Sequence, residues 1–471
     1  MDWGMTVSET VEPRADAAAS VAQRRLTIGI CINVVAIAFE VIAVATAMPV
    51  AARDLDGLTY YAWSFSLFVI GMLFATVVAG RLSDRLGPVR PLVIGMVVFV
   101  AGLLLAGSAT HMLQLVGGRL VQGLGSGLMN TAVFVLVAQV YSVTQRPRVF
   151  TFISTAWILP SFVGPPVSAW LTETLSWHWV FYAVVPLVIG GGLLILPTLR
   201  QLSRSWRPAE HDPDVASPAP LWAAGVVALA AAALQLAGQR LDWVALGLLV
   251  AGLAGLVVGL PRLMPDCFAR LGRGLPAVIL CRGLLAGAFI GAEAFVPLML
   301  VEERQVALVL AGAALTIGSV GWTTGSWLQS RPWLKIRRDR LIALGCLSLT
   351  IGLAATALVA LVPALPYYLV AAGWVFAGLG MGLSVSSTGL ATMTLSRDAE
   401  QGRNGSSLNL ADALGAGLFV GVSGTIFAAL RTTTSLSVTF ATVIGAMAVL
   451  ALLAALAAVR IGPVHNEFTQ R

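Results

Sequence analysis

Long apolar stretches recur along this chain at intervals too short for anything but turns between most of them. A helix rising ~1.5 Å per residue needs about 20 such residues to cross a hydrocarbon layer of ~30 Å. Segments of that kind occupy 26–49, 61–80, 91–110, 113–140, 149–172 and 178–199. Two more follow at 221–238 and 243–260, then six at 276–300, 306–329, 340–361, 366–395, 406–430 and 436–459. That makes fourteen, with the seventh and eighth short, alanine- and glycine-rich, and separated only by Gln239 to Asp242. Lipid offers no hydrogen bonds to a bare backbone, so each crossing must satisfy its own, and the expected fold is all-α. With 58% apolar and 11% charged residues in 471, no soluble core could bury the apolar surface.

The arginines set the orientation. If the N-terminus lies inside, the inner segments carry 23 of the 29 Lys and Arg residues. The outer loops then carry only Arg53, Arg240, Arg304 and Arg431. That bias puts both termini in the cytoplasm and requires an even number of crossings. Twelve satisfies this as well as fourteen, because the seventh and eighth segments can be dropped together. The net charge of +7 is spread over short loops and not gathered on a polar domain, which argues against a nucleic-acid partner.

The expected organisation is a cytoplasmic N-terminal segment (1–25), a six-helix bundle (26–199), a cytoplasmic linker (200–220) and two inserted helices (221–260). A cytoplasmic loop (261–275), a second six-helix bundle (276–460) and a cytoplasmic tail (461–471) complete it. The first apolar run is too long for a cleaved leader and reads as a helix. The linker run Pro208-Ala209-Glu210-His211-Asp212-Pro213-Asp214 resists regular structure. Both bundles carry a basic loop after their second helix, which suggests an internal duplication. Of the four cysteines, Cys31, Cys281 and Cys346 fall in apolar runs and Cys267 in a loop, without metal-like spacing.

The most informative of these loops is Gly80-Arg81-Leu82-Ser83-Asp84-Arg85-Leu86-Gly87-Pro88-Val89-Arg90. Asp84 among Arg81, Arg85 and Arg90 makes a local ion-pair cluster easy, and Gly87 suits a helix end. As charge alone, the loop could be a topological anchor. Its pattern resembles the G-x-L-x-D-R-x-G-x-x-R signature of the major facilitator superfamily, matched by Gly80, Leu82, Asp84, Arg85, Gly87 and Arg90. The resemblance implies two six-helix bundles working by alternating access, with this loop as a conformational latch.

Two further stretches are similar to that superfamily. Gly118-Arg119-Leu120-Val121-Gln122-Gly123-Leu124-Gly125 is like its R-x-x-Q-G-x-G segment in helix four. Pro160, Gly164 and Pro165 resemble the helix-five motif of proton-coupled exporters, although Ser168-Ala169 stand where that motif has glycines. Phe39-Glu40-Val41-Ile42-Ala43-Val44-Ala45-Thr46-Ala47-Met48-Pro49 resembles the helix-one motif of the fourteen-helix drug:proton antiporter branch, with glutamate where aspartate is usual. That branch carries two extra helices between its bundles and uses protons, not a resident cofactor, to drive export.

Ionisable side chains inside spanning helices cost at least ~2.5 kcal/mol on insertion scales and are functional candidates by default. There are five: Glu40, Arg119, Arg282, Glu293 and Asp412. Glu40 and Glu293 lie at similar depths in the first helix of each bundle and suit proton coupling, since a desolvated carboxyl can exist charged or neutral. The plainer alternative is a neutral, hydrogen-bonded carboxyl. Arg119 suits a substrate contact or a counter-ion to Glu40. Arg282 and Asp412 sit at matching depths and are expected to pair structurally, with Asp412 as a partner for the latch loop as the alternative.

Asn33, Gln122, Asn130, Trp157, Trp322, Trp374 and Asn409 are candidates to line a substrate cavity for apolar or cationic compounds. For each tryptophan, packing competes with that role. Gly378, Gly380 and Gly382 fit close helix packing, and no phosphate cradle or Walker-type sequence appears. Four histidines without a plausible nucleophile argue against an enzyme. The expectation is a monomeric exporter in the cell membrane, with small-molecule substrates and lipids as partners. A proton-independent facilitator or lipid exporter, and a non-transporting receptor on the same scaffold, are the alternatives.

Overall fold

The computed structural model describes residues 12–142, 145–205, 220–238, 243–264, 268, 272–331, 333–396 and 401–464. Among them the chain is helical, without a strand. The first part comprises α1 (Glu12–Asp54), α2 (Trp63–Leu86), α3 (Val89–Gly107), α4 (Met112–Val140), α5 (Arg146–Thr155), α6 (Ile158–Thr174), α7 (His178–Tyr182) and α8 (Val185–Ser205). Two helices follow, α9 (Leu221–Ala237) and α10 (Trp243–Leu263). The second part comprises α11 (Leu275–Glu293), α12 (Val296–Glu302), α13 (Leu308–Gln329), α14 (Arg338–Leu361), α15 (Leu369–Leu395), α16 (Gln401–Leu430) and α17 (Leu436–Val459). Most of the expected linker, 206–219, and Cys267 lie outside the described residues.

Twelve helical stretches are long and apolar enough to cross a membrane. Two of the fourteen expected segments are not among them. The fifth is divided into α5 and α6, and the seventh, α9, is a shorter apolar helix of 17 residues. Proline accounts for the divisions. It lacks an N–H and crowds the carbonyl four residues earlier. Pro160, Pro186 and Pro297 therefore disturb the helix at Ala156, Tyr182 and Glu293, where α5, α7 and α11 give way to α6, α8 and α12.

Turn chemistry fixes the other joints. Gly87 ends α2 with φ 78°, a conformation natural to glycine, and its N–H bonds the Ser83 carbonyl at 3.0 Å. The His111 ring nitrogen accepts from the Gln114 N–H at the start of α4, and Ser435 caps α17 through the Val438 N–H. Within the second bundle α15 is clamped on two sides. A Cβ at Gly378 would stand 2.0 Å from the Gly318 carbonyl oxygen on α13, and one at Gly380 2.4 Å from that of Gly345 on α14. The glycines expected to serve packing do so.

The two bundles meet through α2 against α16, α6 against α13, and α1 against α12. Their named contacts gather away from the chain termini. Buried Tyr61 donates its hydroxyl to the Ala294 carbonyl at 2.6 Å and sets its ring 5.3 Å from that of Phe295. Arg53 pairs with Glu302, and Ser319 donates to the Ser161 carbonyl at 3.2 Å nearer mid-depth. Ala294 and Phe295 are the two residues between α11 and α12.

Helix α9 lies along the α2–α16 seam and touches both bundles. Ala228 and Ala231 bury against Ile70, with Leu67 and Phe74 of α2 and Leu418 of α16 around them. Gln235 rests on Gly421, where a Cβ would lie 3.5 Å from its amide carbon. Helix α10 packs on α9 and turns its other side outward, leaving Trp243 88% exposed and Val257 73% exposed.

Candidate functional site

Helices α1 and α4 bring three of the expected residues together inside the first bundle. Glu40 and Gln122 are wholly buried and Arg119 is 2% exposed. Arg119 forms an ion pair with Glu40 through Nη1, which also donates to Gln122 Oε1 at 2.6 Å. Its Nε donates to the Ser64 carbonyl at 2.8 Å, and its guanidinium lies 4.4 Å from the centre of the Phe68 ring. The spacing of Arg119 and Gln122, three residues apart on one helix, is what lets the two side chains meet. Arg119 is thereby held on four sides. Glu40 is not: its second oxygen, Oε2, is buried without a hydrogen-bond partner.

Further unsatisfied polar atoms lie on the same two helices, α1 and α4. Asn33 donates to the Gly29 carbonyl at 2.8 Å, while its Oδ1 has no partner. Gln122 Nε2, Ser126 Oγ and Thr46 Oγ1 are likewise buried without one. Buried polar atoms are normally satisfied, so each of these can be completed by ligand or water. Helix α6 supports α1 from behind. Pro160, Gly164 and Pro165 are buried, and Gly164 faces Ile42 and Ala43. Ser168, standing where the resembling motif has glycine, donates to the Ala43 carbonyl at 2.6 Å.

In the second bundle the charges behave differently. Glu293 ends α11 half-buried, without an ion-pair or hydrogen-bond partner among the described residues. Arg282 pairs with Asp412 and donates to the Val385 carbonyl at 2.9 Å and to Thr388 Oγ1 at 3.2 Å, tying α11 to α15 and α16. Phe289, not singled out from sequence, stacks on buried Trp374 at 5.2 Å and meets Trp322 edge-on at 5.5 Å. Trp374 is thus packing between helices, and Trp322 is half-buried beside it.

The remaining candidates are dispersed. Asn130, Asn409 and Trp157 are exposed, the last by 43%. In the loop after α2, Gly87 makes the turn, Arg85 and Arg90 are exposed, and a Cβ at Gly80 would meet nothing within 4 Å. The side chain of Asp84, on which the ion-pair cluster depends, lies outside the described residues. Sequence reasoning missed Ser64 and Phe68, which hold Arg119, and Tyr61, which joins the bundles. Nothing in an apolar helix marks a carbonyl or one aromatic ring as special.

Comparison with known proteins places this geometry. Residues 28–420 match the family profile described as Major Facilitator Superfamily. "Multidrug resistance protein 3" of Bacillus subtilis is 27% identical over 223 residues, which are 46% of this chain and 42% of that protein. "Multidrug transporter protein MdtP" of the same organism is 32% identical over 146 residues, 31% of this chain and 27% of that protein. The chain thus spans under half the length of these curated relatives. A crystal structure of a peptide transporter POT in complex with sulfate superposes with a TM-score of 0.67 at 18% identity, covering 93% of this chain and 95% of that one, a likeness of fold alone. With the match spanning both bundles, the chain belongs to the Major Facilitator Superfamily, a family of membrane transport proteins and not of enzymes.

Proposed function

We propose that the chain is a proton-coupled exporter of small lipophilic or cationic compounds, working by alternating access in the cell membrane. The observation that carries this reading is Glu40, a wholly buried carboxylate with one oxygen on Arg119 and the other without a partner. Such a group has two stable arrangements. Ionised, it needs Arg119; protonated, it no longer needs the guanidinium's charge and carries an O–H that must find an acceptor elsewhere. Proton binding and a rearrangement of α1 against α4 are then the same event. Glu293, unpartnered at the break between α11 and α12, is the second proton site. Its neighbour Ala294 carries the carbonyl that Tyr61 holds across the bundles.

The substrate class rests on the multidrug relatives named above and on half-buried Trp322, which packs edge-on against Phe289. The reading includes fourteen crossings. Helices α5 and α6 follow one another in the place of a single crossing, and the 17 residues of α9 span about 25 Å at 1.5 Å each. Both termini are taken as cytoplasmic, so the contacts of Tyr61, Arg53 and Glu302 join the two bundles on the outer side.

Transport of a lipophilic cation in proteoliposomes tests the reading. An imposed pH gradient should drive accumulation, and Glu40→Gln or Glu293→Gln should abolish the dependence. Equal transport with the gradient collapsed would exclude proton coupling.

A further inference from the structure

The loop between α13 and α14 has used its acidic residue and kept surplus base. Asp339 is the only carboxylate between Gln329 and Leu361. It is taken by Arg337 through two bonds of 3.0 and 2.7 Å, and also by the Val464 N–H. Arg338 turns inward, 7% exposed, and donates to the Gln329 side chain and carbonyl. Arg331, Lys335 and Arg340 have no carboxylate within ion-pair distance among the described residues. Lys335 and Arg340 are exposed.

Two tryptophans flank these charges. Arg331 lies 4.1 Å above the Trp327 ring, with its Nε covered and without a partner. Trp327 and Trp333 are 49% and 62% exposed, at the membrane end that carries the chain termini. The loop is no loose tether. Ser330, Arg331, Leu334 and Lys335 each donate a backbone N–H to a carbonyl two or three residues earlier, at 3.0–3.2 Å. Stacking fixes the guanidinium plane and leaves its outer N–H groups for a planar or tetrahedral oxyanion. Indole rings half in and half out of the structure sit where acyl chains meet headgroups.

We infer that Trp327, Arg331, Trp333, Lys335 and Arg340 form a binding site for the phosphate headgroup of an anionic glycerophospholipid. The phosphate diester meets the stacked Arg331 and Lys335, the indoles cover the upper acyl chains, and Arg340 adds attraction from the start of α14. A zwitterionic lipid brings its own cation to the same place and gains less. The site needs only that the chain be embedded in a bilayer, so it stands apart from proton coupling.

The test is native mass spectrometry of the full chain in detergent, titrated with phosphatidylglycerol or with phosphatidylcholine of the same acyl chains. The wild type should retain phosphatidylglycerol in preference, saturating at a small fixed number of lipids. Each basic residue near an anionic surface accounts for about a fivefold effect, so Arg331→Gln with Lys335→Gln should lower that retention roughly thirtyfold. Arg331→Lys keeps the charge and should still lose retention, because the stacked plane is gone. Arg273→Gln removes an exposed charge at the same membrane end and should change little. Equal retention of the two lipids by the wild type, or an equal loss in Arg273→Gln, would overturn the site. Retention of inorganic phosphate in place of the lipid would overturn the lipid as its occupant.

Discussion

Removing the Tyr61 hydroxyl should open the end of the molecule where the bundles touch. The bond to the Ala294 carbonyl, 2.6 Å long and fully buried, crosses from one bundle to the other. It therefore exists only while that end is closed. A net hydrogen bond is worth about 0.5–1.5 kcal/mol. Phenylalanine keeps the ring contacts with Phe65 and Phe295, at 5.4 and 5.3 Å, so the loss is confined to the bond. A shift of about 1–1.4 kcal/mol moves the closed-to-open ratio about five- to tenfold. Spin labels at exposed Thr174 and Thr432, one beyond each bundle at that end, read the ratio as a distance distribution. Tyr61→Phe should enlarge the long-distance population by that factor, with thermal unfolding scarcely altered. The neighbouring Tyr60→Phe, at a position 38% exposed, should leave it unchanged. An unaltered distribution in Tyr61→Phe would refute the idea that this bond discriminates between states.

Four further outcomes follow from the same geometry. Glu40→Gln leaves Arg119 buried without its anion and should cost about 3–5 kcal/mol in thermal unfolding, with part recovered when Arg119→Gln is added; additive losses would deny the coupling. Arg282→Ala should cost only about 1 kcal/mol, because the Asp412 side chain is 38% exposed and water can replace the guanidinium, and a loss several times larger would show the pair to be dry. Gly378→Ala places a methyl 2.0 Å from a backbone oxygen and should abolish the monodisperse protein on size exclusion. Gly117→Ala, in open space on α4, should be neutral or stabilising by up to about 1 kcal/mol.

Much of the architecture was legible because lipid enforces it. A spanning segment must be apolar and about 20 residues long, so the positions of most helices could be read from composition alone. The pairings that length and charge define were also legible: Arg282 with Asp412 at matching depth, and Arg119 near Glu40. Helix breaks were less so, since Pro49 and Pro165 lie inside helices while Pro297 ends one. The difference lies in what replaces the missing bond, and that is tertiary. Trp322 and Trp374 illustrate the same limit. Both are tryptophans beside glycines in apolar helices, yet one is half-buried and the other sealed behind Phe289. Exposed Asn130 and Asn409 could not be told from buried Asn33 without knowing which helix face meets a neighbour.

The two bundles would otherwise be joined along two equivalent flanks, and α9 makes the flanks unequal. On one side Ala228, Ala231 and Gln235 roof the join between α2 and α16. On the other, α6 and α13 carry no inserted helix among the described residues and present Leu159, Val163, Trp170, Leu310 and Val320 outward. The two seams therefore differ in what they present to the membrane: one is covered by an inserted helix, and the other meets lipid directly along an apolar strip.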